Sequence, residues 1–117
     1  MSRAPTTTDT FNAVGDQTRR AVLEELAVQE CTVGELVERL RLPQPQISKH
    51  LRVLREVDLV QYRSVGRARM YRINRAGLEP LHGWLTDLVA QVNQTYDRLD
   101  DYLHEIQAAN PPQDQEA

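Results

Sequence analysis

The chain has 117 residues, a formal net charge of −3 and a single cysteine, Cys31. That length suits one compact domain, its longest apolar runs fall far short of the roughly 20 residues a transmembrane helix needs, and one cysteine excludes an internal disulfide and fits a reducing compartment. The charge is segregated: residues 1–38 carry −4, residues 39–75 carry +8 on ten basic and two acidic side chains, and residues 76–117 carry −7. A cationic central third between two acidic ones has the electrostatic footprint of a phosphate-binding surface, against the blander reading of a solvated arginine-rich face.

In chain order, residues 1–8 and 108–117 lack apolar periodicity and are expected to be flexible tails around one domain, residues 9–107. Met1–Thr10 has no apolar stretch of the signal-peptide kind, so a cytoplasmic protein is expected. A short helix is predicted from Asp9 to Val14. Asp16 caps a second one containing Thr18 to Val28, with Ala21, Val22, Leu23, Leu26 and Ala27 making one apolar face. Thr32 and Glu35 form a capping box that opens a third helix with Val33, Leu36, Val37 and Leu40 inward. Arg41-Leu42-Pro43 is long enough only for a turn. The next helix has Ile47, Leu51 and Leu54 at i, i+4 and i+7. Two short helices around a tight turn make a helix-turn-helix.

Leu59–Ser64 and Met70–Asn74 are β-compatible, and Gly66 suits the turn between them. A hairpin after a helix-turn-helix is a wing. Glu79-Pro80 then starts a long helix in which Leu81, Leu85, Leu88, Val92, Thr95, Leu99, Tyr102 and Ile106 alternate steps of four and three, with Tyr96 beside the weak member Thr95. Such a helix is about 40 Å long, more than so small a core covers, so a partner helix is expected along Leu81, Leu85, Leu88, Val92 and Leu99. The fold class is therefore mostly α with a small β-hairpin, a winged helix-turn-helix with a long C-terminal dimerisation helix.

The second helix of the motif is built to enter a major groove. Pro45, Ser48, Lys49, Arg52 and Glu56 lie opposite its apolar face, and Gln44 and Gln46 lead it. Gln pairs bidentately with adenine, and Ser bonds several base edges. Gln44, Gln46, Ser48 and Lys49 are the candidates for base edges, and Arg52 for phosphate or guanine. His50 lies beside the apolar face, where packing or a phosphate contact suits it better than catalysis. Arg63, Arg67 and Arg69 are the wing candidates for phosphate or minor groove, with Arg67 and Arg69 nearest the turn. Arg63 and Arg72 read equally well as solvated strand residues.

These residues resemble a known family. Asp16-Gln17-Thr18-Arg19-Arg20-Ala21-Val22-Leu23 is similar to its D-P-T-R-R-x-I-L stretch, and Thr32–Leu36 to T-V-G-E-L. Gln44–Glu56 is similar to Q-P-A-V-S-K-H-L-K-V-L-R-E, and Gly66-Arg67 and Tyr71 match the wing. The family is that of the ArsR-type (arsenic repressor-like) winged-helix regulators, and the resemblance runs from Phe11 to Leu85. It implies a homodimer joined by the first and last helices, usually a repressor that releases operator DNA on sensing a signal.

The chain departs from the family pattern in four places. Gln17 replaces a Pro, Pro43 stands where a Ser or Thr often caps the recognition helix, and Asp58 stands where Gly is common. Thr32 and Gly34 occupy the positions of the Cys-x-Cys metal motif of many relatives. Other relatives use Asp-x-His and a later His/Glu pair on the last helix. Here His82, Asp87, Asp97, Asp100, Asp101, His104 and Glu105 lack that spacing, although His104 shares a face with Asp100 and Asp101. No metal and no cofactor are expected, and the effector is unassigned. No phosphate loop, catalytic carboxylate pair or nucleophile motif points to an enzyme. Cys31 reads as a buried thiol or, less simply, a redox sensor. Double-stranded operator DNA and a second copy of the chain are the expected partners, with no membrane. The alternatives are a metal-responsive repressor with an atypical site and a winged-helix protein–protein module.

Overall fold

Side-chain caps set where the first three helices begin. Asp9 accepts the Asn12 N–H at 2.7 Å and opens α1, Thr10–Ala13. Asp16 accepts the Arg19 N–H at 2.9 Å and opens α2, Gln17–Val28. Thr32 and Glu35 form the expected capping box at the start of α3, Val33–Leu40, with bonds of 3.2 and 2.8 Å. These elements belong to a computed structural model that describes residues 9–109. The tails expected at 1–8 and 108–117 lie outside those residues, apart from positions 108 and 109, which continue the last helix.

The turn of the helix-turn-helix is made by the backbone. Arg41 closes α3 in the left-handed region at φ 58, its N–H bonded to the Val37 carbonyl at 2.8 Å. Pro43 then precedes α4, Gln44–Glu56, with no side-chain cap. Its carbonyl accepts the Gln46 and Ile47 N–H groups, both at 3.1 Å, so α4 starts on a backbone oxygen where a Ser or Thr hydroxyl would otherwise serve. Pro45, in the first turn, has no N–H needing a partner.

α4 ends in a Schellman motif. The Leu59 N–H reaches the Leu54 carbonyl at 2.9 Å, the Asp58 N–H reaches Arg55 at 3.0 Å, and Asp58 takes the left-handed position at φ 63. Leu54 and Leu59, the two residues that meet across such a cap, are both buried. This explains why glycine suits position 58: the backbone there is left-handed.

The hairpin pairs β1, Val60–Val65, with β2, Ala68–Ile73, antiparallel. Its loop is Gly66-Arg67 alone, tighter than the five-residue turn the sequence suggests, with φ +63 at Gly66. A two-residue loop matches the twist of its strands, so pairing extends to Val65 and Ala68. Cys31 bridges to Tyr71 by two backbone bonds of 3.1 and 2.8 Å, adding a short third edge to β2.

The core is where these elements meet: Val22 and Leu26 of α2, Leu36 of α3, Ile47, Leu51 and Leu54 of α4, and Leu59, Val60 and Tyr71 of the hairpin, with Ala13 and Cys31. A 3-10 turn, Arg75–Leu78, leads to α5, Glu79–Ala109. The chain divides into two compact units between Leu81 and His82. Leu81 is half-buried and packs on the core of the first unit, so it differs from the other residues of the periodic apolar row. In the second unit Leu85, Leu88, Val92, Leu99, Tyr102 and Ile106 are all exposed. Thr95 turns its hydroxyl onto the Gln91 carbonyl at 3.0 Å.

Candidate nucleic-acid interface

The apolar side of α4 is fixed by Ile47, Leu51 and Leu54, all buried. Its remaining arc must then face outward. Gln44, Ser48, Arg52 and Arg55, at i, i+4, i+8 and i+11, line one side of a cleft of about 650 Å³. Thr32, Val33 and Gly34 at the start of α3 and Arg67, Ala68, Arg69 and Tyr71 of the hairpin complete its lining. Among the described residues lining it, four are arginines and none is acidic. Gln44 Nε2 lies 3.5 Å from the Ser48 hydroxyl, one turn on. Gln46 and Lys49 are exposed, but further round the helix and outside the cleft. Arg55 was not singled out by sequence, although it continues the same row by one more turn.

Register sorts the wing arginines. Residues opposite one another in an antiparallel pair share a face, and faces alternate along each strand. Ser64 opposes Arg69 and Tyr62 opposes Tyr71, so Arg69 shares the tyrosine face that borders the cleft. Arg63 opposes Met70 and Gln61 opposes Arg72, on the other face. Arg63 is turned away from the cleft and engaged: its guanidinium donates to Glu30 at 2.9 Å. Arg67, in the loop, and Arg69 line the cleft.

His50 sits inside. It is 9% exposed, and its Nδ1 lies 3.4 Å from the Arg19 guanidinium. Arginine is always a donor, so this nitrogen accepts and the neutral ring carries its proton on Nε2. Burial pushes the imidazole below its ordinary pKa. The Asp16 charge opposes that shift, and Arg19 and Lys49 add to it. Arg19 Nε also donates to the Ala13 carbonyl at 2.8 Å, and Arg20 donates to Val14 at 2.9 Å. The Arg19-Arg20 pair thus ties the end of α1 to α2, and Arg19 also touches α4. Packing, rather than an exposed phosphate contact, is where the structure puts His50.

Residues 16–62, from the cap of α2 to the first strand of the wing, match the bacterial regulatory proteins of the arsR family. The HTH-type transcriptional regulator Rv2034 of Mycobacterium tuberculosis is 41% identical over 78 residues, which are 67% of this chain and 70% of that protein. The chain belongs to the ArsR family. The transcriptional repressor SdpR of Bacillus subtilis is 28% identical over 79 residues, 68% of this chain and 88% of that protein. An ArsR-like transcriptional regulator from Rhodococcus sp. RHA1 superposes with a TM-score of 0.70 at 27% identity, over 85% of this chain and 91% of that one. This ArsR-family chain is accordingly a DNA-binding transcriptional regulator with a winged helix-turn-helix, and not an enzyme.

The metal motif found in many ArsR relatives does not fit the donors present here. Thr32 is occupied as the cap of α3, and Gly34 has no side chain. Cys31 is fully buried, its thiol pushed up chiefly by burial and 3.5 Å from the Gln29 carbonyl. A buried thiol whose proton is held more tightly is a poorer metal ligand and a poorer nucleophile. Among the described residues no three His, Cys, Asp or Glu side chains gather in one place.

Proposed function

We propose that this protein represses transcription in the cytoplasm as a homodimer on operator DNA. Each α4 lies in the major groove of one half-site, and each wing lies on neighbouring phosphates or minor groove. The observation that carries the reading is the cleft with four arginines and no acid among its described lining residues. Within it, the Gln44 amide and the short Ser48 hydroxyl stand at the leading end of α4, where base edges are reached. Arg52, Arg55, Arg67 and Arg69 supply charge for the backbone on either side. Gln46 and Lys49, exposed on the adjoining arc, extend the contact surface.

The second copy is argued from α5. Its 31 residues run about 46 Å, and Leu85, Leu88, Val92, Leu99 and Ile106 leave an apolar stripe exposed along it. A stripe at steps of four and three is the seam of paired helices, and two half-sites need two protomers. The resemblance to dimeric ArsR-type regulators favours a copy of the same chain over a different partner.

Alanine substitutions in DNA-binding assays test the assignment. Gln44→Ala or Lys49→Ala weakens binding to the operator by about 1–3 kcal/mol while non-specific binding changes less. Arg67→Ala weakens both alike, as loss of a phosphate contact does. An Arg67→Ala protein unchanged on both DNAs removes the wing from the interface.

A further inference from the structure

Tyr62 occupies a position that the helix-turn-helix itself does not require. It stands on β1 opposite Tyr71, with ring centroids 5.3 Å apart and planes tilted by 49°. Tyr71 is buried and tied to Cys31 on both its backbone groups, so the Tyr62 ring rests on a fixed support. Tyr62 itself is 36% exposed and is not part of the core.

Two cations meet at this ring. The Arg69 guanidinium carbon lies 4.4 Å from its centroid and that of Arg55 lies 5.1 Å away. One comes from the wing and the other from the last turns of α4. Like charges brought to one ring repel, and neither guanidinium is held in an ion pair: those among the described residues are Arg39–Glu25 and Arg63–Glu30. A guanidinium attracted over a ring keeps N–H donors at its edge for an acceptor. Both groups line the cleft, so an anionic acceptor there relieves their repulsion and takes up both forks. A nucleic-acid backbone, with its succession of phosphates, has that chemistry.

We propose that Tyr62 is a positioning residue that holds Arg55 and Arg69 together as a preformed phosphate clamp joining the recognition helix to the wing. The proposal rests on the DNA-binding reading and adds how that surface is preorganised. The ring limits the rotamers of two long side chains before DNA arrives, so less entropy is lost when the phosphates are bound.

The test is the affinity of the full chain for a mixed-sequence DNA duplex, measured across salt concentrations. The proteins are the wild type, Tyr62→Phe and Tyr62→Leu, with the last also placed in an Arg55→Gln/Arg69→Gln background. Tyr62→Phe, which keeps the ring face, binds like the wild type. Tyr62→Leu, which keeps apolar bulk but no ring, binds about five- to thirty-fold more weakly. Its salt slope flattens by up to about 2, because each phosphate contact contributes about 0.9. In the double-Gln background Tyr62→Leu has no further effect. Equal losses in both backgrounds, or no loss with the arginines present, overturn the clamp while DNA binding by the wild type stands. A wild type with no salt-dependent binding overturns the DNA-binding reading and the clamp together. Should Tyr62→Leu lower the unfolding midpoint, the Arg55→Gln and Arg69→Gln singles are set against their double. Non-additive losses support the clamp, and strict additivity overturns it.

Discussion

Asp58 and Gly77 show how single backbone positions hold the wing in place. Asp58 turns the chain out of α4 with a left-handed backbone, and its carbonyl accepts Asn74 Nδ2 at 2.9 Å. Gly77 passes so close that a Cβ there would overlap the Asp58 carbonyl. Gly77→Ala must therefore displace backbone, not a pliant side chain, and is expected to cost about 1–3 kcal/mol in denaturant unfolding. An Ala variant as stable as the wild type would show that the 3-10 turn adapts freely. His50 gives a pH dependence at the same scale. Burial favours its neutral form in the folded state, so the unfolded chain binds the proton more readily. Its stabilising contribution is complete above the ordinary imidazole pKa of about 6.5 and is lost as pH falls below it. Unfolding free energy measured through that range should fall less steeply in His50→Gln, and an identical slope would contradict the assignment. Ser48 and Arg52 were legible as outward residues because helical spacing puts them off the face of Ile47, Leu51 and Leu54, and Gln44 because it leads the helix; all three line the cleft. Tyr62 was not, because its partners come from α4 and β2 and only tertiary contact brings them together.

The helix-turn-helix owes its geometry to caps at its boundaries. The α3 capping box satisfies two backbone donors of an eight-residue helix that has little length to stabilise it. Thr32→Ala is expected to lower stability by about 1 kcal/mol, read as a shifted unfolding midpoint with net charge unchanged. A midpoint that does not move would mean that packing of Leu36 carries this helix unaided. The capping box and the Asp16 cap were legible because they are local: donor and acceptor lie three residues apart. The wing was legible as an element but not in register. Strand propensity located both strands within two residues at each end, yet the loop proved to be Gly66-Arg67 alone. That difference decides which face each arginine takes. It places Arg69 with Tyr62 and Tyr71, and it places Arg63 on the far face with Glu30.

At the scale of the molecule, opposite charge and exposed apolar surface divide the chain into complementary tasks. The cationic third contains α4 and the wing, while the acidic third contains α5 with its apolar stripe. Leu88→Glu or Val92→Glu puts a charge into the proposed seam, where pairing would bury it without a partner. Either change is expected to yield a monomer by sedimentation and to lose operator affinity at the same time, because two half-sites are then no longer linked. A folded variant that remains dimeric would remove α5 from the dimer interface. The stripe was legible from steps of four and three, except at Leu81, which the core of the first unit claims. The central claim is that the cleft between α4 and the wing reads DNA. Its most direct test is the affinity of the wild-type protein for its own upstream DNA, set against unrelated DNA, over a range of salt concentrations. The expected result is a specific site tighter than background and a log–log salt slope of about −0.9 for every phosphate contacted. Binding that is undetectable, or that does not change with salt, would contradict it.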